Sequence, residues 1–104
     1  MIEFQYFDGC PNSVETLANL NELVDAGEIN AQEINIVEVN NVELAEKLNF
    51  QGSPTILVDG FDIYTEKKPV SYAYSCRVYV FGGSQTGVLS KKYIIDKIKK
   101  IRAR

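Results

Sequence analysis

The stretch Tyr6-Phe7-Asp8-Gly9-Cys10-Pro11-Asn12-Ser13 turns a strand-like run into a helix-like one. Before it, Ile2, Phe4 and Tyr6 alternate with Glu3, Gln5 and Phe7, a period that predicts a strand with one buried face over Met1 to Phe7. Asp8-Gly9 ends that run. Pro11 suits a first helical position, where its missing N–H leaves nothing unsatisfied. Val14, Leu17, Leu20, Leu23 and Val24 then recur at helical spacing up to Ala26, and Gly27 is placed to close the helix in a left-handed cap. Cys10 therefore stands at a helix N-terminus, at the positive end of the dipole and beside unpaired backbone N–H groups. That setting favours the thiolate, which is both the nucleophile and the soft-metal ligand. The competing fate for such a residue is that of a buried, inert cysteine.

Outward from this junction the chain alternates. Ile34, Ile36, Val37 and Val39 predict a second strand. Asn40-Asn41 opens a short helix with Val42, Leu44, Ala45 and Leu48 as its apolar positions, and Gln51-Gly52 breaks it. Ser53-Pro54-Thr55 enters a third strand, Ile56-Leu57-Val58. Asp59-Gly60 signals a two-residue hairpin, with Phe61 to Tyr64 returning. Residues 65 to 69 read as a loop, Val70 to Phe81 as extended, and Gly82-Gly83-Ser84 with Gly87 as a flexible turn. Ser90 is placed to cap a last helix that buries Ile94, Ile98 and Ile101. The β-α-β start argues for parallel pairing through a right-handed crossover, and the hairpin for an antiparallel pair. The expected fold class is α/β, a mixed four-stranded sheet in the order β-α-β-α-β-β-α with helices on both faces.

Length and composition bound the function classes. The chain has 104 residues, 45% hydrophobic and 24% charged, which suits one domain over residues 1–104. No apolar run approaches the ~20 residues of a membrane span. The start of the chain lacks the basic and apolar regions of a signal peptide, so a cytoplasmic location is expected. The net charge of −3 conceals an asymmetry. Residues 1–66 hold thirteen acids and the single base Lys47, whereas residues 67–104 hold ten bases and the single acid Asp96. A basic end invites nucleic acid, but Lys97, Lys99, Lys100, Arg102 and Arg104 fall in the last turns of a helix, where cations suit the dipole, so no nucleic-acid or membrane partner is expected. Histidine is absent, which removes Cys–His dyads, Ser–His–Asp triads and His-ligated metals. Two cysteines, Cys10 and Cys76, are too few for a four-cysteine zinc or iron–sulfur site within one chain. No resident cofactor is expected.

The element order, with a cysteine opening the first helix and a proline opening the third strand, resembles the thioredoxin fold. Cys10-Pro11-Asn12-Ser13 stands where thioredoxin-like proteins carry Cys-x-x-Cys or Cys-x-x-Ser, and Ser53-Pro54-Thr55 where they carry a cis-proline before a strand. Gly9-Cys10-Pro11, Gly52-Ser53-Pro54-Thr55 with Asp59-Gly60, and Ser75-Cys76-Arg77 together resemble a small bacterial and archaeal thioredoxin-like group, some members of which are labelled alkylmercury-lyase-like. The resemblance covers nearly the whole chain and implies a site in which the cis-proline loop lies against the cysteine and presents backbone to an extended substrate. The sequence also departs from thioredoxin. Ser13 replaces the second cysteine, Phe4 stands where the buried acid would be, and Gly9 replaces the tryptophan. A dithiol cycle through residues 10 and 13 is excluded. The glutathione-contacting segment of Cys-x-x-Ser glutaredoxins, which bind a cluster, is not visible.

Three readings follow. In the first, a possible thiol–disulfide oxidoreductase, Cys10 exchanges with a protein or small-molecule thiol or disulfide. Ser13 either donates its hydroxyl to the thiolate or satisfies backbone in the first turn. Cys76 either resolves the mixed disulfide or sits inert in an aromatic cluster with Tyr72, Tyr74 and Val78. Pro11, Ser53, Pro54 and Thr55 line the substrate groove, and Arg77 either adds positive charge there or is a solvated surface residue. In the second, Cys10 and Cys76 clamp a soft ion such as mercury, as the resemblance to organomercurial lyase implies, although Ser13 stands where the lyase carries its aspartate. In the third, the chain is an interaction domain with no thiol chemistry, which burial of Cys10 would favour. Oligomeric state is left open.

Overall fold

Ile2–Tyr6 forms β1, the strand on which the rest of the sheet is built. The computed structural model describes residues 1–104. β1 pairs in parallel with β2 (Ile34–Glu38), from Ile2 opposite Ile34 to Tyr6 opposite Glu38. On its other side it pairs antiparallel with β3 (Thr55–Val58), from Ile2 opposite Val58 to Gln5 opposite Thr55. The short β4 (Phe61–Asp62) returns along β3 through Asp59-Gly60, whose two positive φ angles, 52° and 88°, are those of a type I′ turn. The sheet order is β2-β1-β3-β4.

Three helices cover this sheet. α1 (Pro11–Asp25) buries Ser13, Thr16, Leu20 and Leu23. It ends as Gly27 and Glu28 turn back their N–H groups onto the Val24 and Leu23 carbonyls, at 3.0 and 2.9 Å. α2 (Val42–Leu48) is capped by Asn41, whose side chain accepts from the Leu44 N–H. α3 (Lys91–Arg102) is capped in the same way by Ser90, which accepts from Tyr93, and buries Ile94, Ile98 and Ile101 as their spacing predicts.

The sides of β1 explain the layering. Ile2 and Phe4 enter the main core with Leu20, Leu23, Ile56, Val58, Ile94, Ile98 and Ile101, so α1 and α3 share one face. Gln5 and its partner Val37 point the other way. Val37 packs against a smaller cluster of Val39, Ala45 and Phe50, which puts α2 on the opposite face. Gln5 is consequently 1% exposed, although its place in the alternation suggested solvent. The Cα radius of gyration, 12.8 Å, is that of one compact domain of this length.

The structure corrects four sequence expectations. Val14 keeps the helical period but is 71% exposed. The strand expected over Phe61–Tyr64 ends at Asp62, where residues 63–65 turn and the Thr65 and Glu66 N–H groups donate back to the Asp62 carboxylate and carbonyl. Only Tyr79–Phe81 of the expected extended run is a regular strand, β5. Gly82-Gly83 is no loose turn: it joins β5 to β6 (Ser84–Thr86) as a second two-residue hairpin, Phe81 facing Ser84, with both glycines at positive φ, 58° and 86°. Glycine suits both central positions of such a turn, which are left-handed, as Asp59-Gly60 does in the first hairpin.

Candidate functional site

Cys10 is the N-cap of α1, in extended geometry (φ −95°, ψ 107°), with Pro11 opening the first turn. Its position is set locally: Gly9 leaves β1 at φ 87° and Pro11 can begin a helix without a donor. The residue is 1% exposed. It meets a shallow cleft of about 310 Å³ that Tyr6, Phe7, Gly9, Pro11, Ser13 and Val14 also line.

The electrostatics of the thiol are a contest. Burial pushes its pKa up and is the largest single influence. Hydrogen bonding from the Ser53 hydroxyl, from the Ser13 and Asn12 backbone N–H groups and from the Cys76 thiol opposes it, and the balance falls below the ordinary thiol value. The two N–H groups belong to the open end of α1. They close no capping bond of ordinary geometry with the sulfur, so they act through their direction and charge. In its protonated form the thiol points at the Ser53 carbonyl, 3.7 Å away, a weak bond that ionisation gives up for stronger donors.

Of the two roles open to Ser13 the structure shows the backbone one, and the hydroxyl beside the Cys10 sulfur is that of Ser53. The Ser13 hydroxyl donates to the Cys10 carbonyl at 2.7 Å and so satisfies backbone in the first turn. The Ser53 hydroxyl accepts from the Phe7 N–H at 3.2 Å and is free to donate to the Cys10 sulfur. The Ser53–Pro54 peptide is cis.

Cys76 lies beside Cys10. Ser53 and Cys76 form an isolated parallel bridge, in which the Ser53 N–H donates to the Ser75 carbonyl and the Arg77 N–H to the Ser53 carbonyl, both at 2.9 Å. The bridge sets Cys76 beside Ser53, whose carbonyl lies 3.7 Å from the Cys10 sulfur. Partial desolvation of Cys76, the negative charge on Cys10 and hydrogen bonding to Cys10 push the Cys76 pKa up. The two titrations are therefore linked, with the Cys10 pKa shifted down and the Cys76 pKa shifted up. Both cysteines are free, Cys10 buried and Cys76 exposed. The aromatic cluster expected to hold Cys76 forms around Tyr74 instead, whose ring meets Phe7 and Phe50 at 5.4 and 6.2 Å.

The residues expected to line a substrate groove are placed otherwise. Ser53 and Thr55 are fully buried, Pro54 is buried between them, and only Pro11 is exposed. Thr55 donates to the Gly52 carbonyl, and Tyr79, itself buried, donates to the Pro54 carbonyl, both at 2.5 Å. Arg77 is neither solvated nor open to a substrate. Its guanidinium grips Asp62 in a two-pronged pair at 2.8 and 2.6 Å, reaches Thr55 at 3.2 Å, and lies 4.7 Å from the Tyr79 ring centre. The Arg77 and Asp62 side chains are 9% and 1% exposed.

Segment 70–78 is thus tied to the sheet like a strap. The Ala73 N–H donates to the Phe50 carbonyl, the Gln51 amide to the Ser71 carbonyl, and the Tyr74 hydroxyl to the Val39 carbonyl. Gly52 lets the strap come close: at φ 104°, a Cβ there would sit 3.0 Å from the Ser75 oxygen and 3.1 Å from the Arg77 Cβ. Asp62 and the strap contacts escaped the sequence reading. The signal available was an acid, Asp62, on the hairpin strand and a base, Arg77, within an apolar run.

No family model matches the chain, and no curated protein matches it. A solved structure described as "Structure of a malarial protein" is similar, with a TM-score of 0.52 and 16% identity over 95% of this chain and 92% of that one. At that identity the likeness bears on the fold alone.

Proposed function

We propose that this chain is a thioredoxin-like thiol–disulfide exchange protein whose working couple is Cys10 and Cys76. The observation that carries the reading is their juxtaposition: Cys10, at a helix N-terminus, lies against Ser53, and Ser53 is bridged to Cys76. Two further features support it. The sheet order β2-β1-β3-β4, with β1 and β2 parallel and β3 and β4 antiparallel, suits a thioredoxin-like core. The cis peptide before Pro54 lies against the cysteine, as it does in that fold.

In this reading Cys76 supplies the second sulfur that Ser13 cannot. The couple moves between a dithiol and a Cys10–Cys76 disulfide, taking its electrons from a thiol partner or giving them to a disulfide. No other charged or metal group is needed, since exchange requires a thiolate, an accessible sulfur and a good leaving group. In substoichiometric amounts the protein is expected to accelerate the reduction of 2-hydroxyethyl disulfide by dithiothreitol, and either Cys10→Ser or Cys76→Ser is expected to abolish that acceleration. A wild-type protein that produces no acceleration contradicts the reading.

The same two sulfurs favour a second reading, a two-coordinate soft-ion clamp. No third cysteine or carboxylate clusters beside them, so such a site would suit only an ion content with two thiolates. Tight one-to-one Hg(II) binding that survives in Cys76→Ala would argue against it. The burial of Cys10 favours an interaction domain without thiol chemistry, but the exposed Cys76 gives the buried sulfur a chemical outlet.

A further inference from the structure

The Cys10–Cys76 pair is asymmetric in a way that decides how a substrate meets it. Cys10 is 1% exposed, whereas Cys76 is exposed on the strap. The backbone around Cys10 is closed as well. Ser53 lies against the sulfur, its carbonyl 3.7 Å away, and both its N–H and its carbonyl are already taken, by Ser75 and Arg77. An incoming polypeptide would have to displace that bridge. The strap is anchored on either side of it, by the Arg77–Asp62 pair and by the Ala73 and Tyr74 bonds, with Gly52 packed beneath. A small molecule needs only the exposed Cys76.

Resting on the exchange reading above, we propose that substrates exchange at Cys76, with Cys10 as the internal sulfur, and that they are low-molecular-weight disulfides and thiols, not extended polypeptides. The chemistry balances with a small disulfide, RSSR, as oxidant. The Cys10 thiolate takes the Cys76 S–H proton as the Cys76 sulfur attacks RSSR. A Cys76–S–S–R bond forms, the R–S–S–R bond breaks, and RS⁻ leaves with the proton that Cys10 held. Cys10, again a thiolate, then attacks the Cys76 sulfur. The Cys10–Cys76 bond forms and the second RS⁻ departs, taking up a proton from solvent that replaces the one Cys10 lost at ionisation. The protein dithiol is oxidised by two electrons and RSSR is reduced to two RSH. In the reverse direction a small thiolate attacks the exposed Cys76 sulfur and expels Cys10. The better-stabilised thiolate is the better leaving group, so the asymmetry serves both directions.

The test uses the full reduced chain, Cys10→Ser and Cys76→Ser with 2-hydroxyethyl disulfide as probe, read by intact mass. Cys10→Ser lacks the base but keeps the exposed Cys76, whose fraction ionised at about pH 8.5 suffices, and at that pH it should accumulate the hydroxyethylthio adduct about tenfold faster than Cys76→Ser, whose remaining thiol is buried. Equal or reversed rates, meaning entry at Cys10 through its cleft, overturn the proposal. Partial reaction of wild-type protein, quenched in acid and mapped by digestion, repeats the comparison without relying on the folding of either variant. A first adduct on Cys76 supports the proposal, and one on Cys10 overturns it. A cysteine-peptide disulfide should react no faster than the small probe, and a peptide reacting about tenfold faster overturns the assigned substrate class. Failure of the couple itself looks different: oxidised wild-type protein then carries adducts but no internal disulfide.

Discussion

At Cys10, burial and hydrogen bonding pull in opposite directions, and the donors win only because several converge on one sulfur: a serine hydroxyl, two backbone N–H groups and a neighbouring thiol. Removing one should be measurable. In a Cys76→Ser background, where a single thiol titrates, Ser53→Ala is expected to move the Cys10 pKa up toward the ordinary value of 9.0, read from the pH dependence of thiolate absorbance. An unchanged or lower midpoint would show that the hydroxyl does not act on the sulfur. The sign for stability follows. A thiol whose folded pKa lies below its unfolded value binds fewer protons in the fold, so its contribution grows as pH rises through that interval, is fully present above the unfolded value, and is lost as pH falls through the folded one. Ser53→Ala narrows the interval. The place of Cys10 at a helix start was legible in the sequence because Gly9 and Pro11 are its chain neighbours. The identity of the hydroxyl beside it was not, because Ser53 lies 43 residues away and only the sheet brings it there.

The strap is the element that completes the site, and a buried ion pair holds it. Asp62, on β4, accepts the Arg77 fork and also the Thr65 N–H at 3.1 Å. Asp62→Ala leaves the buried guanidinium without its counter-charge and should cost about 3–5 kcal/mol in chemical denaturation. Asp62→Leu with Arg77→Met is expected to recover much of that loss, since an apolar pair of similar volume avoids the desolvation cost. Asp62→Ala should also slow formation of the Cys10–Cys76 disulfide by loosening the segment that carries Cys76. A loss under about 1 kcal/mol, typical of an exposed pair, would contradict this role for the strap. The regular elements, with their caps at Asn41 and Ser90, were legible from local period and capping residues. The strap was not, because its bonds run to Phe50, Gln51, Val39 and Asp62, residues that share no local pattern with it. The aromatic and β-branched run over 70–81 reads as a strand by propensity. Tertiary bonding holds most of it in irregular extended form instead.

Over the whole molecule the split between an acidic first part and a basic end is an internal complementarity. α3 lays its cations on acids from elsewhere in the chain: Lys91 on Glu22, Lys99 on Glu28, Arg102 on Glu33 and Asp59. Glu66 alone meets Lys97, Lys100 and Arg104, and their hydrogen bonds hold its pKa down to about 2, against an ordinary 4.5. A carboxylate with a depressed folded pKa contributes stability above its unfolded value and loses it as pH falls toward the folded one. Glu66→Gln should therefore flatten the fall in stability between about pH 4.5 and 2, and an unchanged acid limb would contradict the cluster. No helix is long and apolar enough to cross a membrane. What the fold achieves as a whole is to bring residues 10 and 76 together, through a sheet that sets Ser53 beside Cys10 and a strap that sets Cys76 beside Ser53. The most direct measurement of that claim is the intact mass of the oxidised chain without reductant, followed by peptide mapping. The account predicts a monomer lighter by two hydrogens, with one cross-linked peptide joining Cys10 to Cys76 and full restoration by dithiothreitol. Two free thiols after oxidation, or cross-links only between chains, would contradict it.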